Sequence, residues 1–467
     1  MRTICLYFEI HQIIHLKRYR FFDIGADHYY YDDYANEAGI ADVVEHSYIP
    51  ALTTLIDMVK NSDGAFKVAL SISGVALEQL EIHAPAVIDL LHQLNNTGCC
   101  EFLAEPYSHG LSSLMNEVCF EEEVMRQSAK MKQLFGKAPK VFRNSGLIYT
   151  DDIGLLVSQM GFKGMLTEGA KHILGWKSPH YVYHCNQNPN LKLLLRDVKF
   201  SDDISLRFGN SEWSGYPLFA DKYIGWIDAL PPEEQVINVF MELSALGMAQ
   251  PLSSNILEFF RALPACAREK GITFSTPTEI VTRLKSVSQL DVPYPVSWMD
   301  EERDTSAWLG NVMQREAFNK LYSIAERVHL CDDRHIKQDW DYLQATNNFR
   351  FMTTKNSPIR IDRGIYESPY DAFTNYMNVL GDFIKRVSML YPSDIDDEEL
   401  NALLTTIHNQ GHEIEELHIE VEKLEKKLEK KSEKKSEKKS ETKPEKKPET
   451  KPAKGKVTTK KAAAKKE

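Results

Sequence analysis

Short apolar runs recur along the first 290 positions, each separated from the next by a longer amphipathic stretch. Residues 4–10, 67–73, 100–104, 141–144, 164–167, 236–242 and 272–275 are predicted as strands. Residues 43–60, 84–95, 121–135 and 253–270 place apolar side chains three and four apart, the period of a helix. Strand followed by helix at this spacing predicts parallel βαβ units. Seven such strands fit a (β/α)7-type parallel barrel, with an open doubly wound sheet as the alternative. Two segments interrupt the alternation, 192–203 and the aromatic 211–226. They read as an insertion ahead of the sixth strand, where loops commonly bind ligands.

The barrel pattern covers residues 1–292, and after Tyr294-Pro295 the chain turns mostly helical, giving a helical domain over 293–392. From Leu400, the residues Leu403, Ile407, Gln410, Ile414, Leu417, Val421, Leu424 and Leu428 follow at spacings of three and four. That heptad predicts a coiled-coil helix over 399–430, either for self-association through 400–428 or packed on the chain's own body. Residues 431–467 repeat Ser, Glu, Lys and Pro with almost nothing to bury, and are predicted to be a disordered Lys/Glu-rich tail.

Charge follows the same division. Residues 429–467 hold sixteen lysines and seven glutamates, a net of +9, which leaves −20 of the formal −11 on residues 1–428. An acidic body is a poor surface for phosphate backbones and suits a neutral ligand such as a sugar. The basic tail is expected to be a solvated segment rather than a nucleic-acid or membrane contact. Cys5, Cys99, Cys100, Cys119, Cys185, Cys266 and Cys331 are odd in number and scattered, the usage of a reducing compartment. The N-terminal run meets Glu9 before a signal-peptide core forms, and no stretch reaches about 18 apolar residues. A cytoplasmic protein is expected.

Strand ends are where a parallel barrel keeps its chemistry. His11 and Gln12 end the first strand, Glu101 lies in the third with His109 on the loop after it, Gly146 follows the fourth, and Glu242 closes the sixth. No cofactor is expected. The i, i+4 pairs His180/His184 and His408/His412 lack the glutamate of a zinc-protease helix, and no metal site is assigned to them.

These strand ends carry a resemblance. Phe8-Glu-Ile-His11-Gln12, Gly98-Cys-Cys-Glu101-Phe-Leu-Ala-Glu105 with His109, and Val141-Phe-Arg-Asn-Ser-Gly146-Leu-Ile-Tyr149 resemble motifs of glycoside hydrolase family 57, in its α-amylase-like branch. So do Thr167-Glu-Gly, Leu174-Gly-Trp176-Lys-Ser-Pro179, Ser201-Asp-Asp-Ile204, and Trp298-Met-Asp300-Glu-Glu-Arg-Asp304 running into Ala307-Trp308-Leu-Gly-Asn311. The resemblance implies an α-glucan or malto-oligosaccharide ligand, with His11, Glu101, His109, Trp213, Trp298 and Asp300 contacting sugar.

The departures from the family fall on the catalytic positions. Retaining glycosidases use two carboxyl groups about 5–5.5 Å apart. The resemblance puts the nucleophile at Gly146, where the carboxylate is missing, and the acid at Glu242, which replaces a shorter aspartate. Around the acid stand Ser244, Ala245, Met248, Ala249 and Pro251, and Thr346-Asn347-Asn348 replaces the family's Ser-Asp-His. Glucan binding with little or no hydrolysis is the expectation. One alternative is an active hydrolase or 4-α-glucanotransferase using other carboxylates, among Glu105, Glu168, Asp151 and Asp152. In that version the hole left at Gly146 holds a water for inverting hydrolysis. The other alternative is an interaction protein acting through its coiled coil.

Overall fold

Burial along the first strand already shows a sheet covered on both faces. In β1 (Thr3–Ile10) all eight residues are buried, so both faces are covered. Ile4, Leu6, Phe8 and Ile10 point outward into a layer that includes Leu52, Leu55 and Phe260 of the helices Ile49–Asn61 and Ile256–Glu269. Cys5 and Tyr7 point the other way and pack with Leu103 and Phe240. The structure, a computed structural model, describes residues 2–356 and 363–390 together with positions 406 and 410. The remainder of the predicted heptad, the tail 431–467, His408 and His412 lie outside the described residues.

Six further strands complete the circuit: β2 (Val68–Ile72), β3 (Cys100–Leu103), β4 (Val141–Arg143), β5 (Gly164–Glu168), β7 (Lys192–Arg196) and β8 (Val236–Glu242). β1, β2 and β3 pair in parallel, and a parallel bridge from Ala104 to Phe142 carries the sheet to β4. β4 pairs with β5, β5 with β7, and β7 with β8 through Arg196 and Asn238. β8 then returns to β1 over the register Thr3–Val236 to Glu9–Glu242, closing the ring. A further strand, β6 (Val182–Cys185), runs antiparallel along β7 outside the ring.

The count of seven parallel strands holds, but one member differs from the sequence reading. Residues 192–196 form the sixth stave rather than part of an insertion. Between β5 and β7 the chain makes only the short helix Lys171–Leu174 and the antiparallel β6, so the strand–helix rhythm breaks there. Conversely, the predicted strand at 272–275 is a two-residue strand, Thr273–Phe274, that pairs with Thr3 and Ile4 at the start of β1 before β2 takes over that edge.

Beyond the barrel, the helices Val312–Tyr322, Arg334–Gln344 and Pro369–Leu390 dominate. Their Phe318, Trp340, Tyr376 and Phe383 share one hydrophobic core with Leu103, Phe142 and Leu166 of the barrel. This helical segment is tied to the C-terminal rim through backbone hydrogen bonds. The Trp298 amide donates to the Gly146 carbonyl at 3.1 Å, and the Thr346 amide donates to the His109 carbonyl at 3.1 Å. All seven cysteines are free. Among the described residues no helix is long and apolar enough to cross a membrane.

Candidate active site

Strand register builds the rim. Side chains of paired residues in a parallel sheet point the same way, with strands about 4.8 Å apart. Glu9 and Glu242 are register partners, so two carboxylates stand side by side at the ends of β1 and β8. His11 follows β1, and its Nδ1 lies 2.9 Å from the Ser73 hydroxyl, which also caps the helix Gly74–His83. His109, held at φ +55 on the loop after β3, stacks on His11 with ring centroids 4.2 Å apart. Glu9, His11, His109 and Glu242 line a cleft of about 220 Å³ with Tyr48, Gly146, Trp298, Trp308 and Arg350.

The Gly146 position is closed to any side chain. Its φ of +58 is a left-handed conformation that L side chains adopt at a cost. A Cβ built there would overlap Cη2 of Trp308 and lie 2.9 Å from Cζ2 and 3.2 Å from Cζ3. Trp308 is 2% exposed, so its indole is fixed by surrounding atoms. The predicted hole for an attacking water is therefore filled by the Trp308 ring.

Below the cleft floor lies a buried ion network. Arg143, fully buried, donates from Nη2 to Glu9 Oε2 at 2.6 Å and from Nη1 to Glu105 Oε2 at 2.8 Å. The Ser71 hydroxyl donates to the same Glu105 oxygen at 2.6 Å. Burial pushes the Glu105 carboxyl up to about 7 even though Arg143 pulls it down. Burial raises Glu9 as well, again against Arg143. His11 and His109 are held well below the usual imidazole range, chiefly by burial. Both rings are thus neutral at pH 7. A second buried arginine, Arg196, is gripped by Glu168 and Asp202, and burial lifts Glu168 to about 7.

Glu242 differs from these groups. Solvent in the cleft reaches it, yet the protein around it raises its carboxyl, with Glu9 adding repulsion and Arg350 opposing both. The Ser244 hydroxyl donates to it at 3.3 Å. The cleft thus presents one solvent-facing carboxyl, two neutral imidazoles and a guanidinium among aromatic rings.

The family profile described as Glycosyl hydrolase family 57 matches residues 5–293. The chain belongs to that family. A curated relative from Methanocaldococcus jannaschii, described as "Putative alpha-amylase", is 36% identical over 370 residues, covering 76% of this chain and 78% of the relative. The crystal structure of a branching enzyme of the same family from Pyrococcus horikoshii is similar at a TM-score of 0.62 and 12% identity, covering 87% of this chain and 95% of that one. A 4-alpha-glucanotransferase from Thermococcus litoralis is similar at a TM-score of 0.54 and 14% identity, over 75% of this chain. This chain spans little more than half, 56%, of that glucanotransferase. At such identities the two structures show the fold alone.

Within this family 57 barrel, His11, His109, Gly146, Glu242 and Trp298 meet at the cleft. Asp300 sits just behind its wall, at φ +55 and 8% exposed, where its charge acts on Arg350. Glu101 is not at the rim. It lies at the start of β3, at the opposite end of the barrel, and accepts from the Thr278 amide at 2.8 Å and from the Thr278 hydroxyl. There it serves the first turn of the helix Pro277–Arg283. The inward carboxylate at the rim end of that segment is Glu105, four residues on. Trp213 is also outside the cleft lining, packed edge-on against Trp226 at 6.2 Å. Sequence reasoning missed Glu9, Tyr48 and Arg350. Period-two alternation from Cys5 and Tyr7 places position 9 on the inner face, which was the available signal.

Proposed function

We propose that this family 57 chain binds α-glucan in the rim cleft and performs little or no hydrolysis. The Trp308 indole occupying the space beside Gly146 carries this reading. Double displacement needs a carboxylate within bonding reach of the anomeric carbon. Here that space is filled by an apolar ring, and the neighbouring carboxylates Glu9 and Glu105 are engaged by Arg143. Trp298, with neutral His11 and His109, gives the cleft an apolar wall and uncharged hydrogen-bonding groups, the lining that sugar hydroxyls and ring faces fit. The context would be glycogen- or starch-type glucan metabolism.

The test is calorimetry of the full chain with maltoheptaose alongside a reducing-sugar assay. Saturating heat without new reducing ends supports the reading. Turnover abolished by Glu242→Gln would overturn it in favour of an active hydrolase or 4-α-glucanotransferase. The adjacent Glu9 and Glu242 are the observation that keeps this second reading in view.

A further inference from the structure

Three buried side chains beneath the cleft each carry a polar atom without a hydrogen-bond partner. Among the described residues, Glu9, Glu105 and His109 are the group whose possible ligand atoms all lie within 4.8 Å of one another. Each residue is more than nine-tenths buried. Glu9 Oε1, Glu105 Oε1 and His109 Nδ1 all lack a hydrogen-bond partner. Glu9 Oε1 and His109 Nδ1 approach to 3.1 Å, in a geometry that forms no hydrogen bond. Buried polar groups are normally satisfied, and three unsatisfied atoms on residues this close together call for a further partner.

We propose that Glu9, Glu105 and His109 bind a divalent transition-metal ion of the zinc type. Ligand bonds of about 2.0–2.2 Å in tetrahedral geometry put ligand atoms roughly 3.3 Å apart. The Glu9–His109 separation of 3.1 Å already matches, and the other pairs, within 4.8 Å, would have to close by at most about 1.5 Å. One imidazole nitrogen with two carboxylate oxygens suits zinc or manganese better than the all-oxygen preference of magnesium or calcium. Arg143 engages Oε2 of each carboxylate and leaves each Oε1 without a hydrogen-bond partner. Arg143 brings one positive charge, so with both carboxylates ionised one negative charge would be left to offset part of a divalent ion's charge. His11, stacked on His109, fixes the plane of that ring. Glu9 and His109 also line the cleft, so an ion held by them would lie beside it.

The experiment is zinc titration of the full chain by calorimetry after chelator treatment, in wild type, Glu105→Gln and His109→Ala. His46→Ala serves as a control, because His46 and Asp42 form an exposed i, i+4 pair of the kind that binds zinc adventitiously. We expect one strong site per chain, weakened at least about tenfold in both floor variants and unchanged in the control. X-ray absorption of the zinc-loaded wild type, which needs no variant to fold, should show one imidazole in an otherwise oxygen shell and no sulfur. Absence of a strong site, a site lost with His46, or a shell with two imidazoles or a thiolate overturns the proposal. None of these outcomes depends on glucan binding.

Discussion

Replacing Gly146 with alanine adds a single carbon at the point where Trp308 fills the cleft wall. Two costs follow from the structure. The φ of +58 charges an L side chain about 1–2 kcal/mol for a left-handed backbone. The new Cβ, overlapping one indole carbon and 2.9 Å from the next, adds an overpacking cost of about 1–3 kcal/mol because Trp308 has no room to withdraw. Together they amount to about 2–5 kcal/mol, a large share of the ~5–15 kcal/mol that typically holds a native protein folded. Trp308→Ala alone should cost about 3–5 kcal/mol through its cavity. In the double variant the overlap vanishes while the backbone cost stays, so the two effects should fall short of additivity by about 1–3 kcal/mol. Urea unfolding followed by tryptophan fluorescence and circular dichroism measures all four corners of the cycle, with coincident transitions as the check on two-state behaviour. A Gly146→Ala chain within about 0.5 kcal/mol of wild type, or a cycle additive within that margin, would refute the claim that the ring occupies this space.

Other outcomes follow from named contacts. Arg143→Met strands Glu9 and Glu105 without their shared cation, and should cost about 3–5 kcal/mol by thermal or urea unfolding. Glu101→Gln should leave maltoheptaose affinity unchanged in calorimetry, since Glu101 caps a helix at the far end of the barrel. His180 is buried between Glu234 at 2.6 Å and Asp197 at 2.7 Å, and these carboxylates outweigh burial and raise its pKa above the ordinary 6.5. A raised folded pKa means its stabilisation is complete below pH 6.5 and fades as pH rises through the folded value. A thermal-midpoint profile from pH 6 to 9 should therefore slope downward less in His180→Asn. Restoring hydrolysis should require Gly146→Glu, Glu242→Asp and Trp308→Gly together, read as reducing ends released from amylose. The pair without Trp308→Gly should remain inert.

Legibility in the sequence followed the physics of each signal. The staves β1 to β5 and β8 were readable because each is a short apolar run bounded by polar turns and followed by a helix. The sixth stave, Lys192–Arg196, was hidden because an antiparallel strand precedes it, although its three successive leucines carry the signature of a strand buried on both faces. At the site, motif positions located His11, His109, Gly146 and Glu242 at one rim. Glu101 misled because a carboxylate in a strand does not announce which end of the barrel it faces. Arg350 had no local signal, as it reaches the cleft from the short helix Thr346–Arg350 more than a hundred residues after the last stave. The filling of the Gly146 space by Trp308 is a tertiary fact that neither residue's neighbours encode.

The cleft also has an uneven ownership along the chain. Residues matching the family profile stop at 293, yet Trp298, Met299, Trp308, Thr346, Asn347 and Arg350 supply one side of the cleft. The amides of Trp298 and Thr346 fasten that side to Gly146 and His109 themselves. A chain cut at the profile's edge would thus keep every stave and lose the wall facing them. The staves thus supply one part of the cleft, and the residues after 293 decide the shape of the rest.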